Sequence, residues 1–274
     1  MMKMLSSPLF VGGAPRSGTT ALLQVLNSNT HTYISSEENI LNVLKAFTKT
    51  LGTKERRGQS LAGGMRELSI RETLTLDNIH SHNFSEESVW PAVRYLYKFH
   101  HRKIAGDNQL QVWGDKLPNY YKELDALLSL PRAKYLHITR NPYDVVNSML
   151  RRTEMSKQGK DWWKAITEVE KMIEAWSDAY EKICSVEKRP DVLHIQYENL
   201  VFDFDKTMAA INSFVGVDQT YDNVMVDDPD KHYDRAFLTE DIRAILSQNA
   251  HVKDYTTRFN TPEHPAVAAS LSGL

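Results

Sequence analysis

The stretch VGGAPRSGTTALLQVLN, residues 11–27, joins the end of an apolar run to a glycine-containing loop and a helical pattern. Residues 8–14, PLFVGGA, read as a short buried strand, and apolar residues recur at helical spacing from about residue 18 to residue 27. Gly13 and Gly18 allow the backbone to fold tightly around an anion, and the N–H groups at the start of the helix point toward it. The stretch therefore predicts a phosphate-binding loop between a strand and a helix.

This loop has the spacing of a Walker motif but lacks its lysine, because Thr19 occupies that position. In NTPases the lysine reaches the β- and γ-phosphates, and the adjacent hydroxyl holds magnesium. Arg16 supplies a charge from within the loop, and an arginine binds phosphate or sulfate bidentately without requiring a metal. We therefore expect this loop to bind a nucleotide with fewer charges to neutralise than ATP, and not to be merely a turn between a strand and a helix. The predicted contacts come from Pro15, Arg16, Ser17, Gly18, Thr19 and Thr20.

The composition limits the classes of function. The chain has 274 residues, which fits one large α/β domain over residues 1–274, and a formal net charge of −2. Mixed charges give no basic field for nucleic acid, and no run approaches the about 20 apolar residues of a membrane span. The N-terminal apolar run is too short for a signal peptide, so a cytoplasmic location is expected. Cys184 is the single cysteine and is expected to pack as a small hydrophobe on a helix.

Strand and helix patterns alternate along the chain. Residues 134–140 and 191–200 read as further strands, and helices are expected at residues 119–130, 142–152 and 204–217. Strands separated by helices imply a parallel sheet that is covered on both faces. The fold class is therefore α/β, a three-layer P-loop-type fold with a central parallel sheet flanked by helices.

Two regions are less regular. Residues 50–110 are interpreted as an insertion of helices and loops. Residues 154–188 contain one long amphipathic helix, whose apolar stripe includes Ile166, Val169, Ile173 and Trp176. The polar tail from Asp228 shows no clear pattern.

A second anion site is predicted in ITRNPYDVVNSML, residues 138–150. Arg140 ends a strand, Ser148 lies on the helix that starts near Pro142, and Arg152 follows one turn later. Ligands bind at the carboxyl ends of strands in open parallel sheets, so both anion sites should share one sheet edge. Alternatively, Arg140 pairs with Asp144 and Ser148 faces solvent. Taken together, the two sites fit a nucleotide with phosphates at its 5′ and 3′ positions.

These motifs resemble those of a known family. GAPRSGTT (residues 13–20) and RNPYDVVNS (residues 140–148) are similar to the 5′- and 3′-phosphate motifs of sulfotransferases that use 3′-phosphoadenosine 5′-phosphosulfate, PAPS. The resemblance covers about residues 8–48 and 113–217, and it is greatest to tyrosylprotein sulfotransferases and their bacterial relatives. It implies PAPS as co-substrate, an acceptor that bears a hydroxyl, and a transfer step without a metal.

The resemblance also implies individual roles. Glu37 falls at the position of the catalytic glutamate, Lys116 at that of a lysine that stabilises the sulfuryl group, and Tyr197 at that of a residue contacting the nucleotide. Arg16 is the second cation. The residues alone leave simpler readings open, in which Glu37 and Glu38 cap a helix, Lys116 lies on the surface and Tyr197 fills core. A histidine base is a further alternative, from His80, His82, His100 or His101.

Several functional choices remain open at this stage. Lys231 and Arg235 are candidates for closing the nucleotide site, although the family's C-terminal motif is not readable there. A small-molecule kinase and a non-catalytic nucleotide-binding protein are the rival functions. A tyrosyl peptide, a sugar and a small metabolite are all compatible acceptors, and no pattern defines an oligomeric state.

Overall fold

A computed structural model describes residues 8–42, 86–106, 109–130, 132–159, 166–224 and 235–259. The strands are β1 (Pro8–Gly12), β2 (Thr32–Ser36), β3 (Val112–Lys116), β4 (Lys134–Thr139) and β5 (Val192–Gln196). The helices are α1 (Thr19–Ser28), α2 (Glu86–Ala105), α3 (Leu124–Leu128), α4 (Pro142–Lys157), α5 (Val169–Val186), α6 (Tyr197–Phe202), α7 (Phe204–Val215), α8 (Glu240–Gln248) and α9 (Ala250–Phe259). A 3₁₀ helix, Pro118–Glu123, leads into α3.

The strands form one five-stranded sheet in the order β2-β3-β1-β4-β5, and every neighbouring pair is parallel. From the central β1 the chain first builds one side of the sheet, β2 and β3, and then the other, β4 and β5. The direction of strand addition thus reverses at β1, and ligands of open parallel sheets bind at such a reversal.

Both faces of the sheet are buried. On β1, Leu9 and Val11 pack into a core with α1 and α7, whereas Phe10 faces the opposite core beneath α4 and α5. This alternation follows from the period of two along a strand. The α/β class and its central parallel sheet flanked by helices are therefore confirmed.

The strand predictions were incomplete. Strands β2 and β3, which are five residues each and carry polar side chains, were not among the predicted strands. The predicted strand at residues 191–200 was wrong beyond Gln196, where α6 begins. Tyr197 and Leu200 are both buried, and their spacing of three residues suits one face of a helix.

The helix predictions also need correction. The segment 154–188 is not one helix, because α4 continues to Lys157 and α5 begins only at Val169. Gly159, in the left-handed region with φ 69°, follows the end of α4. Ile166 precedes α5 but still packs against the core that contains Trp176. The predicted helix at 119–130 is instead the 3₁₀ helix followed by the short α3.

The remaining regions are partly described. Residues 50–85 of the predicted insertion lie outside the described residues, and α2 accounts for most of the rest. The tail forms α8 and α9, which place Leu246, Val252 and Tyr255 in the core. Cys184 lies partly buried on α5, as expected. No helix in the described ranges is long and apolar enough to cross a membrane.

Candidate active site

The five strand ends bring the candidate residues to one edge of the sheet. Lys116 ends β3 in register with Val11 of β1, directly before the phosphate loop. Ser36 of β2 is also in register with Lys116, which places Glu37 beside it. On the other side Thr139 is in register with Gln196, so Arg140 and Tyr197 leave the sheet together. Residues distant in sequence therefore meet because their strands are parallel and aligned.

The phosphate loop is held in a strained, compact conformation. Arg16 has φ 71°, which is unfavourable for a residue with a side chain, and Gly18 has φ 96° directly before α1. A Cβ on Gly18 would lie 2.3 Å from Cδ2 of Tyr197, so this position also needs glycine for space. The N–H of Gly13 donates to the carbonyl of Pro118 at 3.1 Å, which ties the loop to the segment after Lys116.

Polar groups of this loop fit an anion. Ser17 is fully buried, and its Oγ has no hydrogen-bond partner among the described residues. Buried polar atoms are normally paired, so the hydroxyl is suited to bind a ligand. Thr19 and Thr20 open α1, whose first N–H groups have no partner within the helix. A phosphate bound here would accept from these groups and benefit from the helix dipole.

The two predicted anion motifs meet in space. Nε of Arg16, in the phosphate loop, donates to Oγ of Ser148 on α4 at 3.1 Å. Arg152 lies one turn further along the same helix. One ligand can thus contact both motifs.

Arg140 and Tyr197 form the next layer. The guanidinium carbon of Arg140 lies 4.4 Å from the centre of the Tyr197 ring, and that ring packs against Gly18. Burial raises the pKa of the Tyr197 hydroxyl, which stays protonated. The turn after β4 is anchored by two further bonds, from Nε1 of Trp176 to the carbonyl of Arg140 at 3.0 Å and from the Asn141 N–H to Glu198 at 2.8 Å.

Glu37 and Lys116 form an ion pair. Nζ of Lys116 donates to Oε1 of Glu37 at 2.7 Å, and the Glu37 N–H donates to the Lys116 carbonyl, also at 2.7 Å. The Lys116 side chain is only 2% exposed, whereas that of Glu37 is 53% exposed. Lys116 is therefore not a surface lysine, and its partner remains accessible to a substrate.

Other candidates are placed elsewhere. Nε2 of His101 is bonded to the Thr30 carbonyl at 2.6 Å, and His100 lies exposed against Phe99 on α2. His80, His82 and Lys231 lie outside the described residues. No group of three or more His, Cys, Asp or Glu side chains that could hold a metal occurs within the described parts of the chain.

Arg235 was a candidate for closing the nucleotide site, but the contacts that join its segment to α4 were not predicted from the sequence. Arg235 binds Asp144 through Nε at 2.6 Å and Nη2 at 3.2 Å, and the Phe237 N–H donates to Asn147 at 3.0 Å. Asp144 and Asn147 precede Ser148 on the same helix. Since 91 residues separate Arg235 from Asp144, no local pattern could have indicated the pair.

A phosphate loop after the central strand of an all-parallel sheet defines a P-loop-type α/β protein. Residues 8–223 match the model of the sulfotransferase family, and the chain belongs to that family. Among curated proteins, no sequence matches it significantly.

Solved structures provide further comparisons. The sulfotransferase domain from the curacin biosynthetic pathway has a TM-score of 0.50 and 17% identity, covering 96% of this chain and 100% of that domain. The sulfotransferase domain of the Synechococcus PCC 7002 olefin synthase has a TM-score of 0.47 and 22% identity, covering 96% and 98%. Mouse sulfotransferase SULT7A1, solved in complex with PAP, has a TM-score of 0.44 and 16% identity, covering 78% and 60%.

Proposed function

We propose that the protein moves a sulfuryl group from PAPS to an acceptor hydroxyl, with the phosphate loop binding the 5′ end of the nucleotide. Arg140, Ser148 and Arg152 bind the 3′-phosphate, and Tyr197 packs against the nucleotide. The observation that supports this most is the bond from Arg16 to Ser148, because it unites the two anion motifs. A nucleotide with two separate phosphate groups can contact both anion motifs at the same time.

In this proposal Glu37 is the general base. Its carboxylate takes the proton from the acceptor hydroxyl while that oxygen forms a bond to sulfur. The bond between sulfur and the 5′-phosphate oxygen breaks, and its electron pair stays on the phosphate. The products are a sulfate ester and 3′,5′-adenosine bisphosphate, so atoms and charge balance.

Lys116 and Arg16 stabilise the charge that develops on the sulfuryl oxygens and the departing phosphate. Lys116 is suited to this because it is buried, where water screens its charge little. When Glu37 accepts a proton, its charge no longer balances that of Lys116. The ammonium then acts more strongly on the reacting group, at the moment when negative charge moves onto the leaving phosphate.

The first test is calorimetric titration with 3′,5′-adenosine bisphosphate and, separately, with ATP and magnesium. We expect the bisphosphate to bind and ATP not to bind. Arg140→Ala removes charge-assisted hydrogen bonds of about 1.5–3 kcal/mol, which weakens binding about 10- to 150-fold. Arg189→Ala is the matched control, because this arginine pairs with Asp191 on the surface. Binding of ATP instead of the bisphosphate would favour a kinase.

The second test is transfer of labelled sulfate from PAPS to a panel of a tyrosyl peptide, an amino sugar and 2-naphthol. Glu37→Gln should lower kcat about 10²- to 10⁴-fold while leaving bisphosphate binding within about twofold. Glu38→Gln, at the neighbouring exposed carboxylate, is the control and should retain activity. Equal losses of binding and turnover in Glu37→Gln would contradict its role as base. Tight bisphosphate binding without transfer to any acceptor would favour the non-catalytic alternative.

A further inference from the structure

A second carboxylate, that of Asp115, lies directly before Lys116 and is fully buried. It accepts hydrogen bonds from Ser35 Oγ at 2.6 Å and from the Tyr120 hydroxyl. The backbone N–H groups of Glu38 at 3.3 Å and Ile40 at 3.4 Å also donate to it. Burial raises the pKa of Tyr120, which keeps its hydroxyl protonated as a donor. All four donors are neutral groups.

Two of these donors belong to the loop that carries Glu37. Glu37 has φ 63° and Asn39 has φ 50°, so the backbone on both sides of Glu38 is left-handed. The left-handed conformation costs about 1–2 kcal/mol for a residue such as Glu37 and less for asparagine, and it persists at Glu37 only when surrounding contacts enforce it. The Asp115 carboxylate supplies contacts on each side of Asn39, to the N–H groups of Glu38 and Ile40.

Neighbouring residues of a strand point to opposite faces of a sheet. On β3 the side chains of Asp115 and Lys116 therefore lie on opposite faces. The Lys116 ammonium binds the Glu37 carboxylate, and the Lys116 carbonyl accepts from the Glu37 N–H. The Asp115 carboxylate accepts from the N–H of Glu38, the next residue. The dipeptide Asp115-Lys116 thus holds the Glu37 loop at two places.

We propose that Asp115 is a positioning residue, which fixes the loop of residues 37–40 so that the Glu37 carboxylate faces Lys116 and the acceptor hydroxyl. This inference rests on the proposed function, in which Glu37 is the base. Because Asp115 is fully buried, its side chain is not exposed to either substrate, so its loss should change turnover and not nucleotide binding.

The test is a double-mutant cycle of Asp115→Asn and Glu37→Gln, measured as transfer from PAPS to 2-naphthol. The amide keeps the size of the carboxylate but offers one acceptor oxygen where two were present. We expect Asp115→Asn to lower kcat at least about tenfold, with the KM for PAPS and the bisphosphate Kd unchanged within about twofold. In the Glu37→Gln background the same change should have little further effect, because residues acting as a unit are not additive.

Hydrogen exchange gives an independent readout. In Asp115→Asn the amides of Glu38 and Ile40 should exchange faster, whereas those of the central strand β1 should not change. Tyr97→Phe is the control, because it removes a hydroxyl of the same cluster that is bonded to Ser35, at 2.7 Å, and leaves the Asp115 carboxylate in place. It should leave the exchange of the Glu38 and Ile40 amides unchanged. If Asp115→Asn fails to fold, Tyr120→Phe, which removes one donor, should lower kcat a few-fold with the same non-additivity.

The outcomes separate the two proposals. Unchanged turnover in Glu37→Gln, or no transfer by the wild-type protein, would overturn the proposed base and with it the role of Asp115. A loss in Glu37→Gln combined with full activity in Asp115→Asn would overturn the positioning role alone. Fully multiplicative losses, or unchanged exchange at Glu38 and Ile40, would also overturn it.

Discussion

Replacing Asp144 by asparagine removes the negative charge that faces Arg235 while keeping the size of the side chain. The pair is bidentate, and its side chains are 1% and 5% exposed for Asp144 and Arg235. The guanidinium also lies 5.5 Å from the centre of the Tyr143 ring. Without the Asp144 carboxylate, the guanidinium of Arg235 would remain buried and charged, with no counter-ion at position 144.

The expected loss of stability follows from this burial. Removing one partner of a buried ion pair costs about 3–5 kcal/mol, a large part of the roughly 5–15 kcal/mol that stabilises a typical domain. At about 2–4 °C per kcal/mol for a chain of this size, Tm should fall by about 6–20 °C. Asp191→Asn breaks a pair whose side chains are 48% and 29% exposed and should cost less than about 1 kcal/mol.

Urea unfolding, followed by tryptophan fluorescence, measures the free energy of unfolding of both variants, since Trp176 is buried in the adjoining core. The double variant Asp144→Leu with Arg235→Met should recover most of the loss, because an apolar pair of similar volume needs no desolvated charge. Equal losses in Asp144→Asn and Asp191→Asn would refute the reasoning, as would a double variant no more stable than Asp144→Asn.

Two further predictions concern the nucleotide site and the response to pH. Gly18→Ala should displace the Tyr197 ring and weaken bisphosphate binding, measured by calorimetry, about tenfold or more. Gly216→Ala is the control, because Gly216 has φ 80° and no atom within 4 Å of an added Cβ; it should lose about 1–2 kcal/mol of stability in urea unfolding and keep its affinity. Equal affinities of the two variants would argue against the contact between Gly18 and Tyr197. Burial lowers the pKa of His194 to about 4, while in the unfolded chain it is about 6.5. The unfolded chain therefore binds a proton at His194 more readily than the folded protein does. The free energy of unfolding is highest above about pH 6.5 and decreases, by up to about 3 kcal/mol, as pH falls toward 4. His194→Gln should flatten this dependence, and parallel curves of unfolding free energy against pH for the two proteins would contradict it.

Much of the candidate nucleotide site was predictable from the sequence because its signals are local. An apolar run, two glycines and a helical pattern within residues 8–27 suffice for the phosphate loop, since each depends on neighbours in the chain. The spacing from Arg140 to Ser148 likewise lies within one strand end and one helix. Parallel pairing then places both motifs at one edge, as a general property of this architecture.

The partners of Glu37 and Arg235 were beyond local reasoning. Strands β2 and β3 are short and partly polar, and they become strands only because a parallel sheet pairs their backbones. For Lys116 the residues alone left a surface position open beside the role that the resemblance implied, and only the alignment of Ser36 with Lys116 buries it against Glu37, 79 residues away. Asp115 and Arg235 are likewise ordinary charges until packing removes them from water and makes a partner necessary. Burial and register are properties of the assembled sheet, and they set which of the many charged residues meet at this site.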